Sequence, residues 1–213
     1  HTHVREPGAI HKEDFTTATR AALKGGFTFI MDMPNNVVPI FSLELLDQKI
    51  SLANDKKKCA VGFHFGTNGK NTDIFKDVGN RPEVFGLKVY ANHTTGNLLI
   101  EDKTLLENIF KTWEFKKPIL VHAEDDKLEQ MLALAEKYNR NLHICHIASK
   151  KSVALVKTAK NNGQSVTAGV CPHHLFLTID SIAQLGSYAL MKPPLGTFED
   201  QASLWEGIND GTI

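Results

Sequence analysis

Apolar residues in this chain gather in short runs, and between the runs they recur every three or four positions. The runs are GFTFIMDMP (26–34), CAVGFHFG (59–66), FGLKVYA (85–91), PILVHAE (118–124), NLHICHIA (141–148) and SVTAGVCPHH (165–174). Their near-continuous hydrophobicity predicts parallel strands buried on both faces rather than an alternating antiparallel sheet. HTHV at the start reads as the tail of one further strand. The stretches between them, HKEDFTTATRAALKGG, SLELLDQKISLANDKK, DKTLLENIFKTWEF, DDKLEQMLALAEKYN and SKKSVALVKTAKNNG, predict helices. Several of these end in Gly or Asn, the usual C-terminal stop. Strand and helix in regular alternation imply right-handed βα units. The expected architecture is α/β, a (β/α)8 TIM barrel with about seven of its eight strands in 1–213, and a doubly wound open sheet is the alternative.

The positions of the polar residues favour the barrel. Almost every apolar run ends in a group able to bind an ion or a substrate: His1 and His3, Asn35, Lys88, His122, His146, and His173 or His174. In a barrel the C-terminal strand ends converge on one mouth, where residues distant in sequence meet. Composition narrows the partner. The 24 Lys and Arg balance 24 Asp and Glu, so net charge argues for neither nucleic acid nor an anionic membrane surface, and a small molecule is the natural substrate. No apolar run approaches the ~18 residues of a membrane span. Cys59, Cys145 and Cys171 form no CxxC pair, as expected of reduced thiols in the cytoplasm.

The HxH of His1 and His3 puts two imidazoles on one side of an extended backbone, because side chains two apart share a face. Such pairs also occur as ordinary surface or capping residues. The further histidines of VHAE and CHIA, each directly after an apolar run, turn the reading towards a metal centre of imidazole ligands, which suits zinc better than magnesium or calcium. Lys88 lies inside an apolar run, where a lysine must be paired, reach out to water or lose its charge. Taken alone it reads as an outward-facing strand residue. Beside four histidines the sharper reading is a carboxylated lysine, whose carbamate is an anionic bridge between two ions.

In their order and spacing HTHVREPG, DMPNN, GLKVYA, VHAE, HICHIAS, CPHHLFLT and KPPLG resemble the dihydroorotases of the amidohydrolase superfamily, and most of all the type found as a domain of multifunctional pyrimidine-synthesis polypeptides. The resemblance implies a zinc-dependent enzyme that interconverts N-carbamoyl-L-aspartate and dihydroorotate. It implies two Zn2+ held by His1, His3, Lys88, His122 and His146, with Lys88 carboxylated on its side-chain nitrogen. Arg5 and Asn35 are assigned to the substrate carboxylate, with Lys192 and His174 as further substrate contacts. Lys192 stands where relatives often carry Arg, so it would act as a point charge rather than a fork. The general-base aspartate of the family is expected after Ile213, and the segment is read as incomplete at both ends. A homodimer, and assembly with an aspartate carbamoyltransferase, are the implied partnerships. Two other readings stand beside this one. An allantoinase, hydantoinase or dihydropyrimidinase would keep the ligands but generally lack the Arg5 and Asn35 pair; a non-catalytic dihydroorotase-like domain would tend to lose ligands. Cys145 and His143 read as structural residues, and His64, His93 and His11 carry no assignment.

Overall fold

The computed structural model describes residues 1–94 and 98–213. Strands and helices alternate as α1 (Phe15–Lys24), β1 (Phe29–Asp32), α2 (Leu43–Lys56), β2 (Ala60–Gly66), α3 (Phe75–Gly79), β3 (Val84–Tyr90), α4 (Lys103–Thr112), β4 (Ile119–His122), α5 (Asp125–Tyr138), β5 (Leu142–Ile144), α6 (Lys150–Asn161), β6 (Val166–Ala168), α7 (Pro172–Phe176), α8 (Ile182–Leu185) and α9 (Phe198–Asn209). HTHV, the expected tail of a seventh strand, makes one parallel bridge, Thr2 with Asp32. No helix among the described residues is long and apolar enough to cross a membrane.

The chain forms two compact units. One runs from His1 to Val89 and takes in the segment up to Ile119 that carries α4; the other comprises Tyr90–Thr94 and Leu120–Ile213. In the first, β1 pairs β2 and β2 pairs β3, both parallel, with an irregularity between Phe63 and His64. The wholly buried Phe15 of α1 meets Phe63 edge-on, and Trp113 packs between Phe75 and Phe115. The Trp113 indole donates to the Lys117 carbonyl at 2.8 Å, which leaves no polar atom of this large side chain unpaired. α2 starts where the Ser42 hydroxyl accepts from Leu45 N, and it turns Leu46, Ile50 and Ala53 inwards.

In the second unit β5 and β6 are parallel, Leu142 facing Val166 and Ile144 facing Ala168. α5 buries Leu128, Met131, Leu132 and Ala135, and α6 buries Val153, Val156 and Ala159 at the three- and four-residue spacing of a helix face. The apolar run 165–174 does not continue as a strand to its end: β6 stops at Ala168, and Pro172 opens α7. Proline has no N–H for a ladder, and its fixed φ suits the first helical turn. His173 and His174 therefore sit on a short helix instead of a strand end. α9, which carries no strong run of its own, is started by a reciprocal cap between Thr197 and Asp200.

Candidate functional site

His1, His3, Arg5, Asn35 and Lys88 belong to the first unit; His122, His146, His174 and Lys192 belong to the second. In the first, residues 1–4 lie along β1, Thr2 N donating to the Met31 carbonyl and Met33 N to the Thr2 carbonyl, each at 2.9 Å. This extended arm brings the Nε2 atoms of His1 and His3 to 3.1 Å. His3 Nδ1 lies 2.5 Å from Asn35 Oδ1. An amide oxygen only accepts, so the imidazole proton belongs on Nδ1 and the Nε2 lone pair faces His1. Burial lowers the His3 pKa from 6.5 to about 4, against the raising effect of the Asn35 hydrogen bond and with help from the positive charges of Arg5, Lys88 and Lys49. The ring is neutral at pH 7, as a metal ligand must be.

Arg5 holds a left-handed backbone, φ 68°, and its Nη1 donates to the Asn35 carbonyl at 3.5 Å. That conformation is rare for a residue with a side chain and concentrates at functional positions. Asn35 Nδ2 makes no hydrogen bond among the described residues. Lys88 is only 1% exposed, so it does not reach out to solvent from β3. Beneath the arm lies a buried network that sequence reasoning missed. Asp32 Oδ1 accepts from Val4 N at 2.8 Å and Met33 N at 3.0 Å, and Asp32 Oδ2 pairs with Lys49 Nζ at 2.8 Å. Lys49 also donates to the Met33 carbonyl and to Asn36 Oδ1, each at 2.8 Å. A charged residue inside the run FTFIMDMP was the one signal of this in the sequence.

In the second unit His122, at the end of β4, and His146, just after β5, approach through Nδ1 and Nε2 at 3.2 Å. His122 Nε2 lies 3.1 Å from the main-chain carbonyl of His93. The proton therefore sits on Nε2, and the Nδ1 lone pair faces His146. His93 thus acts through its backbone, which no motif reveals. His146 has φ 38°, a second left-handed position among the expected site residues. It borders a cavity of about 200 Å3 lined also by Glu124, Asp125, Ser149, Pro193 and Gly196. Burial and the charge of Asp125 raise the Glu124 pKa, and Lys192 opposes them. Asp125 accepts from the Ser149 hydroxyl at 2.8 Å. Lys192 is exposed, whereas His174 is buried with Nε2 3.1 Å from the Pro193 carbonyl. His143 is bonded to Thr167 at 2.8 Å and Cys145 is buried, in keeping with structural roles.

Each histidine pair presents two ring nitrogens a little over 3 Å apart, and in each an oxygen acceptor fixes the tautomer that leaves a lone pair facing inwards. This outer hydrogen bonding is what metal-ligating histidines use, and the donor set suits zinc. The chain belongs to the amidohydrolase family, whose profile matches residues 1–192. Its fold class is a partial (β/α)8 barrel of that family: L-hydantoinase (dihydropyrimidinase) from Arthrobacter aurescens superposes on the whole chain and 55% of its own with a TM-score of 0.90 at 22% identity. The chain is 36% identical to a dihydroorotase of Lactobacillus acidophilus over 241 residues, 100% of this chain and 56% of that protein. It is 36% identical to the multifunctional protein CAD of Squalus acanthias over 210 residues, 98% of this chain and 9% of that protein. It also resembles the inactive dihydroorotase-like domain of a Chaetomium thermophilum CAD-like multifunctional protein, at 28% identity and a TM-score of 0.74 over 92% of this chain and 55% of that one. The chain thus spans about half the length of the single-activity dihydroorotases it matches.

Proposed function

We propose that this chain is the larger part of a dihydroorotase, a metal-dependent cyclic amidohydrolase of pyrimidine synthesis acting on N-carbamoyl-L-aspartate and dihydroorotate. The observation that carries the reading is the Arg5 and Asn35 pair, set directly beside the His1 and His3 imidazoles. A guanidinium fork and an amide N–H are the groups that grip a carboxylate, which dihydroorotate has and a plain hydantoin or dihydrouracil ring lacks. His1, His3, Lys88, His122 and His146 would hold two zinc ions, Lys88 as its carbamate. When bound, such ions supply an activated water and polarise the amide carbonyl.

The residues of this chain do the rest. Arg5 and Asn35 fix the carboxylate and so set the ring's orientation, and Lys192 adds a mobile positive charge. Asn35 has a second duty, since its oxygen holds His3 in the ligating tautomer. His174, read from the sequence as a further substrate contact, has Nε2 committed to the Pro193 carbonyl. Association with other activities accords with the multifunctional relatives, and an aspartate carbamoyltransferase as that partner and a homodimer are part of the same proposal. The likeness to an inactive domain favours a second reading, a purely architectural role. Against it stands the retention of all five ligand residues.

The test is turnover by the full-length protein of dihydroorotate, allantoin, hydantoin and dihydrouracil. Turnover of dihydroorotate alone is expected, with a KM raised about 10- to 100-fold by Arg5→Lys as a charge-assisted hydrogen bond is lost. Preference for hydantoin or dihydrouracil would replace the reading with the other enzymes. Absence of turnover by protein holding both ions would establish the architectural role.

A further inference from the structure

Cys171, His173 and His174 lie together where β6 gives way to α7. The Cys171 sulfur and one ring nitrogen of each histidine lie within 4.8 Å of one another. The two rings are 4.3 Å apart at their centroids. His174 is 2% exposed, its Nε2 faces the Pro193 carbonyl at 3.1 Å, and its Nδ1 is buried with no hydrogen-bond partner among the described residues. As the carbonyl fixes the proton on Nε2, the buried Nδ1 carries a bare lone pair. An acceptor in that state costs free energy unless something binds it. Neither the Cys171 thiol nor the His173 ring makes a hydrogen bond or ion pair among the described residues. Three donors of the type that binds borderline metals are thus gathered and uncommitted, and one of them is already oriented by a backbone carbonyl.

We infer that Cys171, His173 and His174 form a further metal site, a thiolate with two imidazoles, for a divalent cation of the zinc class. This donor set is distinct from the histidine and lysine ligands of the proposed hydrolytic centre. Around a tetrahedral ion with ordinary zinc–sulfur and zinc–nitrogen bonds, ligand atoms stand about 3.3–3.6 Å apart, so atoms now within 4.8 Å of one another have at most about 1.5 Å to close. Three protein ligands leave one coordination position open for water. Sulfur and nitrogen donors exclude magnesium and calcium as the occupant. The ion would pin the start of α7 and, through His174 and Pro193, the loop KPPLG that borders the cavity beside His146.

The sulfur makes the site separable from any other ion in the protein, because none of the five residues proposed for the hydrolytic centre carries one. Full-length protein is stripped with a chelator and refilled with Co2+, and its near-ultraviolet thiolate-to-cobalt absorption and cobalt content per chain are measured. The parent should show the band. Cys171→Ser should abolish it and bind one cobalt fewer, and His173→Ala, a change at a half-buried position, should weaken both. Cys145→Ser, removing the next buried thiol, should leave them intact. No band in the parent would overturn the inference. So would a band and a cobalt count unmoved by both Cys171→Ser and His173→Ala, or a band lost with Cys145→Ser.

Discussion

Lys49→Met removes the cation at the centre of the network beneath the HxH arm. Lys49 Nζ makes three contacts of 2.8 Å, to Asp32 Oδ2, the Met33 carbonyl and Asn36 Oδ1, and its side chain is 2% exposed. Burial pushes its pKa down, and the Asp32 carboxylate beside it works in the opposite direction. Methionine fills the volume but leaves a buried carboxylate without its counter-ion, a change that costs about 3–5 kcal/mol. That is a large share of the ~5–15 kcal/mol by which a domain is stable. Deleting both charges restores little, because Asp32 Oδ1 also accepts the Val4 and Met33 amides. In Lys49→Met/Asp32→Leu those buried N–H groups lose their acceptor, at about 1–3 kcal/mol each. The assay is denaturant unfolding of the full-length metal-free protein, with metal content of the refilled protein alongside. Since Val4 N anchors the arm that carries His1 and His3, both variants should also bind metal more weakly. A loss below about 1 kcal/mol in Lys49→Met, or a double variant as stable as the parent, would refute the reasoning.

Lys88→Ala should lose metal and activity together, with partial recovery on adding short-chain carboxylic acids; a variant retaining both ions and rate would remove Lys88 from the ligand set. Asn35→Ala frees His3 to change tautomer and should lower metal affinity about 10- to 100-fold, the usual effect of losing an outer hydrogen bond, as read by competition with a chelator. His3 ionises at about 4 in the folded chain against 6.5 for an ordinary imidazole. Between those values the unfolded chain binds more protons, so this contribution to stability is complete above pH 6.5 and is lost as the pH falls towards 4. Unfolding midpoints of metal-free protein at stepped pH should show that slope, and His3→Gln should flatten it.

Among the described residues five of the six strands fall inside apolar runs read from the sequence, and β3 starts one residue before its run, at Val84, because a parallel strand buried on both faces has few polar positions to blur its limits. The run 165–174 failed at its end for a local reason, Pro172, which stops a ladder and starts a helix. α9 was missed because its apolar positions are few and its start rests on the Thr197 and Asp200 cap. The metal-ligand candidates were legible, since histidine after an apolar run is unusual chemistry. What orients them was not. The His93 carbonyl acts through backbone, and the left-handed conformation of Arg5 belongs to a residue type with no preference for it. Lys49 reads as an ordinary charged helix residue until the fold sets it against Asp32.

The hydrogen bond from His3 to Asn35 also governs where protons go when an ion arrives. A ligand protonated before binding must shed its proton into the buffer, so affinity climbs with pH and the measured heat changes with the buffer chosen. His3 carries its proton on Nδ1, which Asn35 retains, and its imidazolium form, which ionises at about 4, has shed the other proton well below neutrality. At this ring ion uptake expels nothing. The part of the binding heat that arises at His3 should therefore be the same in phosphate as in Tris, and its share of the affinity level across the neutral range. Proton release seen by titration calorimetry would then report on the other ligands, with the carbamate-forming Lys88 foremost among them.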